Sequence, residues 1–407
     1  MSLKIGLILL TLVSVVADTM LLPFYPQFFA SEFDQHSPEH VGYYIAACCF
    51  TIMVTFPLWA RVAKRINELH LWVYTQIAAG VLGISCYFVD SLVGFWVLSQ
   101  AMLVFKASYL LIYPFVMRLE EKDRHLGVAS LFSILMHFGA IGGALVGGTM
   151  LEYINPRSVY LIMAGTDALQ VIVCLYIIQK RHVAFYQTQP DLIDNPTVET
   201  KPEQSFSHTQ HGKRYVYTLG IISLLFYCSS FLIRPFFSKY WEAVSSSSNE
   251  LLAGLIYSIP GWIALIGLWF NHRQKSEKNN YSLIFNSLAL ALIGVMIQGI
   301  ENTAAIIIGR CIFGWALFQV TVRLEVVMFE LSHKDDYAVD FSKIHIFQNI
   351  GVLLASFCVG SIVSQFSLQM PFWISFNGFV ITAIVFVLFF RQAIWPGKRF
   401  EKGAQSA

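Results

Sequence analysis

Windows of about 20 predominantly apolar residues, the length that crosses roughly 30 Å of hydrocarbon, recur along almost the whole chain. They fall near 5–30, 39–60, 70–89, 93–117, 127–150 and 158–179, and again near 215–241, 250–271, 281–299, 303–330, 341–366 and 371–393. Such segments must satisfy their own backbone hydrogen bonds, because lipid offers none; helices do this and open strands do not. The predicted fold class is all-α and integral to the membrane, with twelve transmembrane helices. Composition agrees: of 407 residues 56% are hydrophobic and 13% charged, against about 25% charged in soluble domains. That excludes a water-soluble enzyme, and a net charge of +2 leaves no basic excess for nucleic acid.

The first apolar run imitates a secretory signal, with Val15-Val16-Ala17 as a cleavage-like site. It resumes through Met20 to Ala30, however, and is too long for a signal core, so it reads as span 1. The seven cysteines, Cys48, Cys49, Cys86, Cys174, Cys228, Cys311 and Cys358, sit in apolar stretches without C-x-x-C spacing. They read as packing residues, and no metal or cofactor is expected. Residues 180–214 break the pattern with Pro190, Pro196 and Pro202 and read as a linker. The expected organisation is a six-helix bundle over 1–179, a cytoplasmic linker over 180–214, a second six-helix bundle over 215–393 and a cytoplasmic tail over 394–407. With both termini inside, the cytoplasmic segments collect most of the basic residues: Lys4, Arg61, Lys64, Arg65, Arg118, Lys122, Arg124, the linker, Arg273, Lys275, Lys278, Lys334, Lys343 and the tail. The opposite side keeps Arg157 and Lys239, the asymmetry that the positive-inside rule describes.

The two halves repeat. Pro23-Phe-Tyr-Pro-Gln-Phe-Phe29 matches Pro235-Phe-Phe-Ser-Lys-Tyr-Trp241, Leu58-Trp59 matches Leu268-Trp269, and Phe132-Ser133 with Phe138 matches Phe341-Ser342 with Phe347. The offsets, 212, 210 and 209 residues, are nearly constant, which implies two pseudo-symmetric bundles of the kind found in secondary transporters.

Short motifs carry a family resemblance. Pro57-Leu-Trp-Ala-Arg-Val-Ala-Lys-Arg-Ile-Asn67 resembles the G-x-x-x-D-R-x-G loop of the major facilitator superfamily, with Ala60, Lys64 and Asn67 at its Gly, Asp and Gly positions. Gly139-x-x-x-Gly143-Ala-Leu-Val-Gly147-Gly148 resembles the antiporter motif G-x-x-x-G-P-x-x-G-G with alanine for proline, and Arg310-x-x-x-Gly314 is similar to R-x-x-x-G, whose span 4 arginine is Gln100 here. The resemblance covers nearly the whole chain. It implies a monomeric, alternating-access transporter of the bacterial inner membrane, with a central cavity lined by spans 1, 4, 7 and 10. In the family the glycine face, here Gly139, Gly143, Gly147 and Gly148, seals the bundle interface as part of the gate and marks exporters, with close helix packing in lipid as the plainer explanation. In the family the loop motif forms an inward gate, which points here to Arg61, Lys64 and Arg65, although Lys64 reverses the sign of the family's aspartate.

Seven charges lie inside predicted spans: Asp18, Lys106, Asp167, Arg234, Arg310, Arg323 and Glu325. Each costs at least about 2.5 kcal/mol at mid-bilayer, so such residues face protein or watery cavities and mark transport pathways. Thr11, Ser14, Asp18 and Tyr25 share one helical face, and Lys106 is followed by Tyr109 and Tyr113. Asp18 apposed to Lys106 is the expected pair, either a proton-coupling device or a permanent ion pair. Asp18 and Glu325 are the candidate proton carriers; Lys106, Arg234, Arg310, Tyr25, Tyr109 and Tyr113 are the candidate substrate contacts. Arg323 points away from the Arg310 stripe as a bundle contact, and Asp167, on the peripheral span 6, is expected to satisfy a local hydrogen bond. His137 and His345 could titrate near neutral pH but read as packed residues.

The leading functional reading is a proton-coupled exporter of a small hydrophilic anion, such as a carboxylate siderophore or organic anion, with small-molecule substrate, protons and lipid as its partners. Multidrug export, import of the same solutes, a non-transporting receptor and an intramembrane enzyme are the competing readings. Protease added to right-side-out vesicles is expected to leave 180–214 intact until the membrane is permeabilised; ready cleavage without permeabilisation would overturn the topology.

Overall fold

The computed structural model describes residues 3–118, 125–186, 209–273, 279–332 and 337–395. The first half comprises α1 (Leu3–Thr19), α2 (Tyr25–Phe33), α3 (Pro38–Val62), α4 (Glu68–Phe88), α5 (Leu92–Lys106), a 3-10 segment (Ala107–Leu111), α6 (Ile112–Arg118), α7 (His125–Tyr153) and α8 (Ser158–Arg181). The second comprises α9 (Thr209–Phe231), α10 (Phe237–Ser245), α11 (Glu250–Arg273), α12 (Asn280–Gln298), α13 (Thr303–Leu331), α14 (Tyr337–Gln365) and α15 (Met370–Ile394). Ten helical stretches are long and apolar enough to cross a membrane, and the shorter apolar helices Gly6–Thr19 and Tyr215–Phe231 open the two halves, giving twelve crossing segments. Among the described residues the one extended pairing is a bridge between Ile66 and Tyr186. Helix starts follow from local chemistry: Ser37, Asn67, Ser91, Asn279 and Asn302 each accept a hydrogen bond from a first-turn backbone N–H. Within 180–214, α8 ends at Arg181 and α9 begins at Thr209, while 187–208 lie outside the described residues, as do 396–407 and the loop charges Lys122, Arg124, Lys275, Lys278 and Lys334.

The windows at 5–30 and 215–241 are read from sequence as single helices, and the structure breaks both. Pro23 and Pro235 supply the reason: proline donates no backbone N–H and pushes the preceding residue away from helical geometry. The breaks match in detail. Phe24 has φ −117° and ψ 5°, Phe236 has φ −108° and ψ 10°, and the short helices that follow end on left-handed Asp34 (φ 51°) and Ser246 (φ 55°). Each pair is separated by the 212 residues of the sequence repeat. Span 4 departs from its counterpart, since it passes through a 3-10 segment after Lys106 whereas α13 runs unbroken.

The chain forms two compact units, Met1–Phe206 with Ser248–Ser258, and Ser207–Ser247 with Ile259–Ala407. In the first, α7 lies against α1 through Gly139, Gly142, Gly143 and Gly147, which face Val15, Val16, Thr19 and Met20. Thr19 Oγ1 donates to the Gly139 carbonyl at 3.2 Å. The same helix turns Gly148 toward the backbone of Glu250, whose N–H donates to Glu152 Oε2 at 2.7 Å. One end of the unit is fastened by Arg157. Its guanidinium donates to Glu32 Oε2 at 2.5 Å, Asp90 Oδ1 at 2.9 Å and the Val89 carbonyl at 3.0 Å, and lies 5.2 Å from the Phe33 ring centre. Partial burial opposes its charge, but the hydrogen bonds to Asp90 and Glu32 outweigh it and hold Arg157 above the ordinary arginine value. At the other end the Asn67 N–H donates to the Phe185 carbonyl at 2.9 Å, tying the turn after α3 to the segment after α8.

In the second unit α10 packs on α12 through the Tyr240 hydroxyl, which donates to the Gln298 carbonyl at 2.9 Å, and α15 on α9 through Ser375, which donates to the Ser229 carbonyl at 2.7 Å. A side chain at Gly147 would run into the Met20 backbone, which cannot swing aside, whereas Gly165 faces open space. Gly147→Val is therefore expected to destabilise the purified protein by about 1–3 kcal/mol, the usual overpacking range, while Gly165→Ala leaves its thermal unfolding midpoint unchanged.

Candidate functional site

Three helices of the first unit each bring a polar stripe to one place. On α1 it is Thr11, Ser14 and Asp18, spaced as neighbours on one helical face. On α8 it is Asp167 and Gln170. Across the α5 junction it is Lys106 and Tyr109, and the 3-10 geometry there eclipses residues three apart, so both side chains point the same way. Lys106 Nζ donates to Asp18 Oδ1 at 2.8 Å and to Asp167 Oδ1 at 2.9 Å. The lysine side chain is 7% exposed and that of Asp167 0%, while that of Asp18 is 47% exposed. One turn along, Gln170 Nε2 donates to Ser14 Oγ, and the Tyr109 hydroxyl donates to Thr11 Oγ1 at 3.5 Å. Beneath them Trp72 Nε1 donates to the Ser108 carbonyl at 3.1 Å, and the Thr75 and Ser108 hydroxyls meet at 2.7 Å.

Sequence reasoning placed Asp167 on a peripheral span with a local hydrogen bond; the structure makes it the second carboxylate on Lys106. The signal was available, since the first half carries three in-span charges and a buried charge needs a partner. Tyr109, expected as a substrate contact, is buried in the unit's core beside Trp72, and Tyr113 packs against that same core. Lys106 itself is enclosed by its two carboxylates. Tyr25 opens α2, half-buried, with its ring 5.1 Å from that of Tyr44. Arg61, Lys64 and Arg65 are exposed around the end of α3. Gly139, Gly143 and Gly147 line the α1–α7 contact and Gly148 the contact with Glu250.

The second unit gathers its charges differently. The break between α9 and α10 carries Arg234, whose guanidinium lies 5.7 Å from the Phe231 ring centre, and α10 opens on Phe237, whose ring lies 4.0 Å from the buried Arg310 guanidinium. Glu325 is half-buried on α13 and shares a small cleft with His345 and Gln348 of α14. Arg323 turns elsewhere, donating to Gln319 Oε1, which is itself paired with Asn271 of α11.

A family model described as the Major Facilitator Superfamily matches residues 7–323. The chain belongs to that superfamily. Its members are secondary transporters, not enzymes, and solved structures share the fold at low identity. The nucleoside transporter NupG superposes with a TM-score of 0.69 at 13% identity, over 96% of this chain and 100% of that one. A bacterial homologue of the human lysosomal transporter Spinster, inward-facing and occupied, gives 0.71 at 12% identity, over 95% and 96%. The peptide transporter POT in complex with sulfate gives 0.70 at 13% identity, over 96% and 94%. No curated protein sequence matches this transporter.

Removing the cation from the cluster would leave two carboxylates facing each other, one of them fully buried. Breaking a buried ion pair from one side costs about 3–5 kcal/mol. Lys106→Met is accordingly expected to lower the thermal unfolding midpoint strongly and Lys106→Arg to lower it less, as read by melting of the protein in detergent.

Proposed function

We propose that this superfamily member is a proton-coupled antiporter that exports a small hydrophilic, carboxylate-bearing solute. One observation carries the reading: a half-exposed carboxylate, Asp18, sits 2.8 Å from a buried lysine ammonium. A carboxylate placed between water and a poorly solvated interior can take a proton when open to the acidic side and release it when open to the cytoplasm. Glu325 is the second candidate, in its cleft with His345. Because Lys106 is occupied by Asp18 and Asp167, recognition of the solute's carboxylate is assigned to Arg234 and Arg310, whose planar guanidinium matches that group. An aromatic cluster of the first unit, Phe28, Phe29, Tyr44, Phe95 and Tyr160, is packed on itself and buried, which disfavours the multidrug reading. Export is supported by the glycine face of α7 and its likeness to the antiporter motif. The reading sets the protein in a bacterial inner membrane, and the basic-residue asymmetry of the loops supports cytoplasmic termini.

Comparison of metabolites secreted by wild-type and deletion cells identifies the solute. Asp18→Asn is then expected to lose proton-driven transport in vesicles while retaining counterflow, and Arg310→Gln and Arg234→Gln to weaken apparent affinity for the solute at least about tenfold, the loss of one charge-assisted hydrogen bond. Wild-type driven transport in Asp18→Asn would reduce Asp18 to a structural partner of Lys106. Unchanged affinity in both arginine variants would end the anionic-solute reading.

A further inference from the structure

We propose that the second unit carries a site for a small organic cation, a guanidinium or primary ammonium group, in a cavity between the end of α10 and the α12–α13 and α14–α15 turns. The cavity has a volume of about 330 Å³, and its lining includes Tyr240, Val244, Glu301, Ser367, Leu368 and Gln369, with no basic side chain. It lies at the end of the unit opposite the start of α9. Arg234 and Arg310 take no part in its lining, so it stands apart from the solute contacts assigned above.

The internal repeat indicates what the cavity is shaped for, because in the first unit the corresponding place is filled. Arg157 holds the N-cap position of α8, and Gln369 holds that of α15, 212 residues later. Arg157 Nη1 donates to the carbonyl of Val89, which ends α4; Gln369 Nε2 donates to the carbonyl of Gly299, which ends α12. The carboxylate recurs as well. Asp90 immediately precedes Ser91, the N-cap of α5, and Glu301 immediately precedes Asn302, the N-cap of α13. What does not recur is the cation. Arg157 goes on to Glu32 and Asp90, whereas Gln369 is shorter and uncharged, and Val244 stands 212 residues after Glu32. The second unit therefore keeps the carbonyl anchor and one carboxylate of a guanidinium cradle, with a cavity where the first unit has the guanidinium.

The polar lining consists mainly of acceptors. Glu301 brings the charge, Ser367 a hydroxyl, and Gln369 its side-chain carbonyl, since its amide N–H is committed to Gly299. Tyr240, its hydroxyl donating to the Gln298 carbonyl at 2.9 Å, forms part of the wall. A cationic N–H donor gains roughly twice as much from a carboxylate as a neutral one does, which favours a cation over a neutral solute. A metal ion is disfavoured, because among the described residues no group of three or more His, Cys, Asp or Glu side chains could hold one. At ~30 Å³ for each water, the cavity has the volume of about ten waters, enough for a cation with a short alkyl tail against Val244 and Leu368.

The probe is butylguanidinium, with butylurea as its neutral analogue, and binding to the purified full-length protein in detergent is read by calorimetry. Wild type is expected to bind butylguanidinium saturably at millimolar concentration or below, and butylurea not at all. Glu301→Gln is expected to weaken this binding at least about tenfold, the loss of one charge-assisted hydrogen bond, and Glu301→Asp to weaken it less. Gln369→Arg supplies the cation from the chain itself and is expected to abolish binding while raising the thermal unfolding midpoint. Absence of saturable binding by wild type, equal binding of butylurea, or undiminished binding in Glu301→Gln overturns the proposal and leaves the transport reading standing. Should Gln369→Arg fail to fold, the variants at Glu301, an exposed position, decide alone. Repeating the titration in nanodiscs with and without an amine-headgroup lipid separates two sources of the same chemistry: unchanged affinity assigns the site to a dissolved cation, and competition by the lipid assigns it to the headgroup.

Discussion

An ammonium group removed from water must be met by negative charge, and Lys106 imposes that demand on the whole first unit. Its partners come from 88 residues earlier and 61 residues later in the chain, on helices that share no local contact in sequence. Satisfying one cation therefore fixes how α1, α5 and α8 are rotated about their own axes. Once they are so placed, the residues a turn away, Ser14 with Gln170 and Thr11 with Tyr109, fall into register as a second polar layer. The glycine seam on α7 holds α1 close from the other side. Packing and electrostatics thus select the same arrangement.

The gross architecture was legible because spanning a membrane is a demand on length and apolarity alone, both of which a window of residues reports. The repeat was legible too, since Pro23 and Pro235 recur with their aromatic neighbours. What those prolines do to the chain was missed: a hydropathy average is blind to backbone angles, and both apolar runs looked continuous. Asp167 was misjudged for a different reason. Its role depends on a pairing across helices and on the 3-10 segment that turns Lys106 and Tyr109 toward α1, and no local pattern in Ala107–Leu111 announces that geometry. Tyr109 is packed beside Trp72 in the core of the unit, a burial that its place one turn after Lys106 does not announce.

The second unit shows how far two repeats can diverge while keeping one backbone plan. Its break reproduces that of the first nearly dihedral for dihedral, yet where the first unit buries a lysine between two acids, the second sets arginines against the rings of Phe231 and Phe237. A nucleoside transporter, a peptide transporter and a Spinster homologue share the fold at 12–13% identity. The frame is common property, and the two units of this chain differ in the charged side chains that they set on it.

The paired breaks carry a consequence for how these two segments meet the lipid. Where an α-helix stops and restarts, several amide and carbonyl groups lose their partners four residues away. Hydrocarbon cannot supply replacements, so backbone of this kind survives at membrane depth only against protein or water. Around the two breaks Met20, Leu21, Phe24, Leu232, Ile233 and Phe236 are all buried within their own units. The side of each segment that faces away from lipid is thus set by its main chain as well as by its buried apolar side chains, and part of the lost pairing is replaced within the chain by turn bonds such as Phe24 N–H to Leu21 and Arg234 N–H to Phe231.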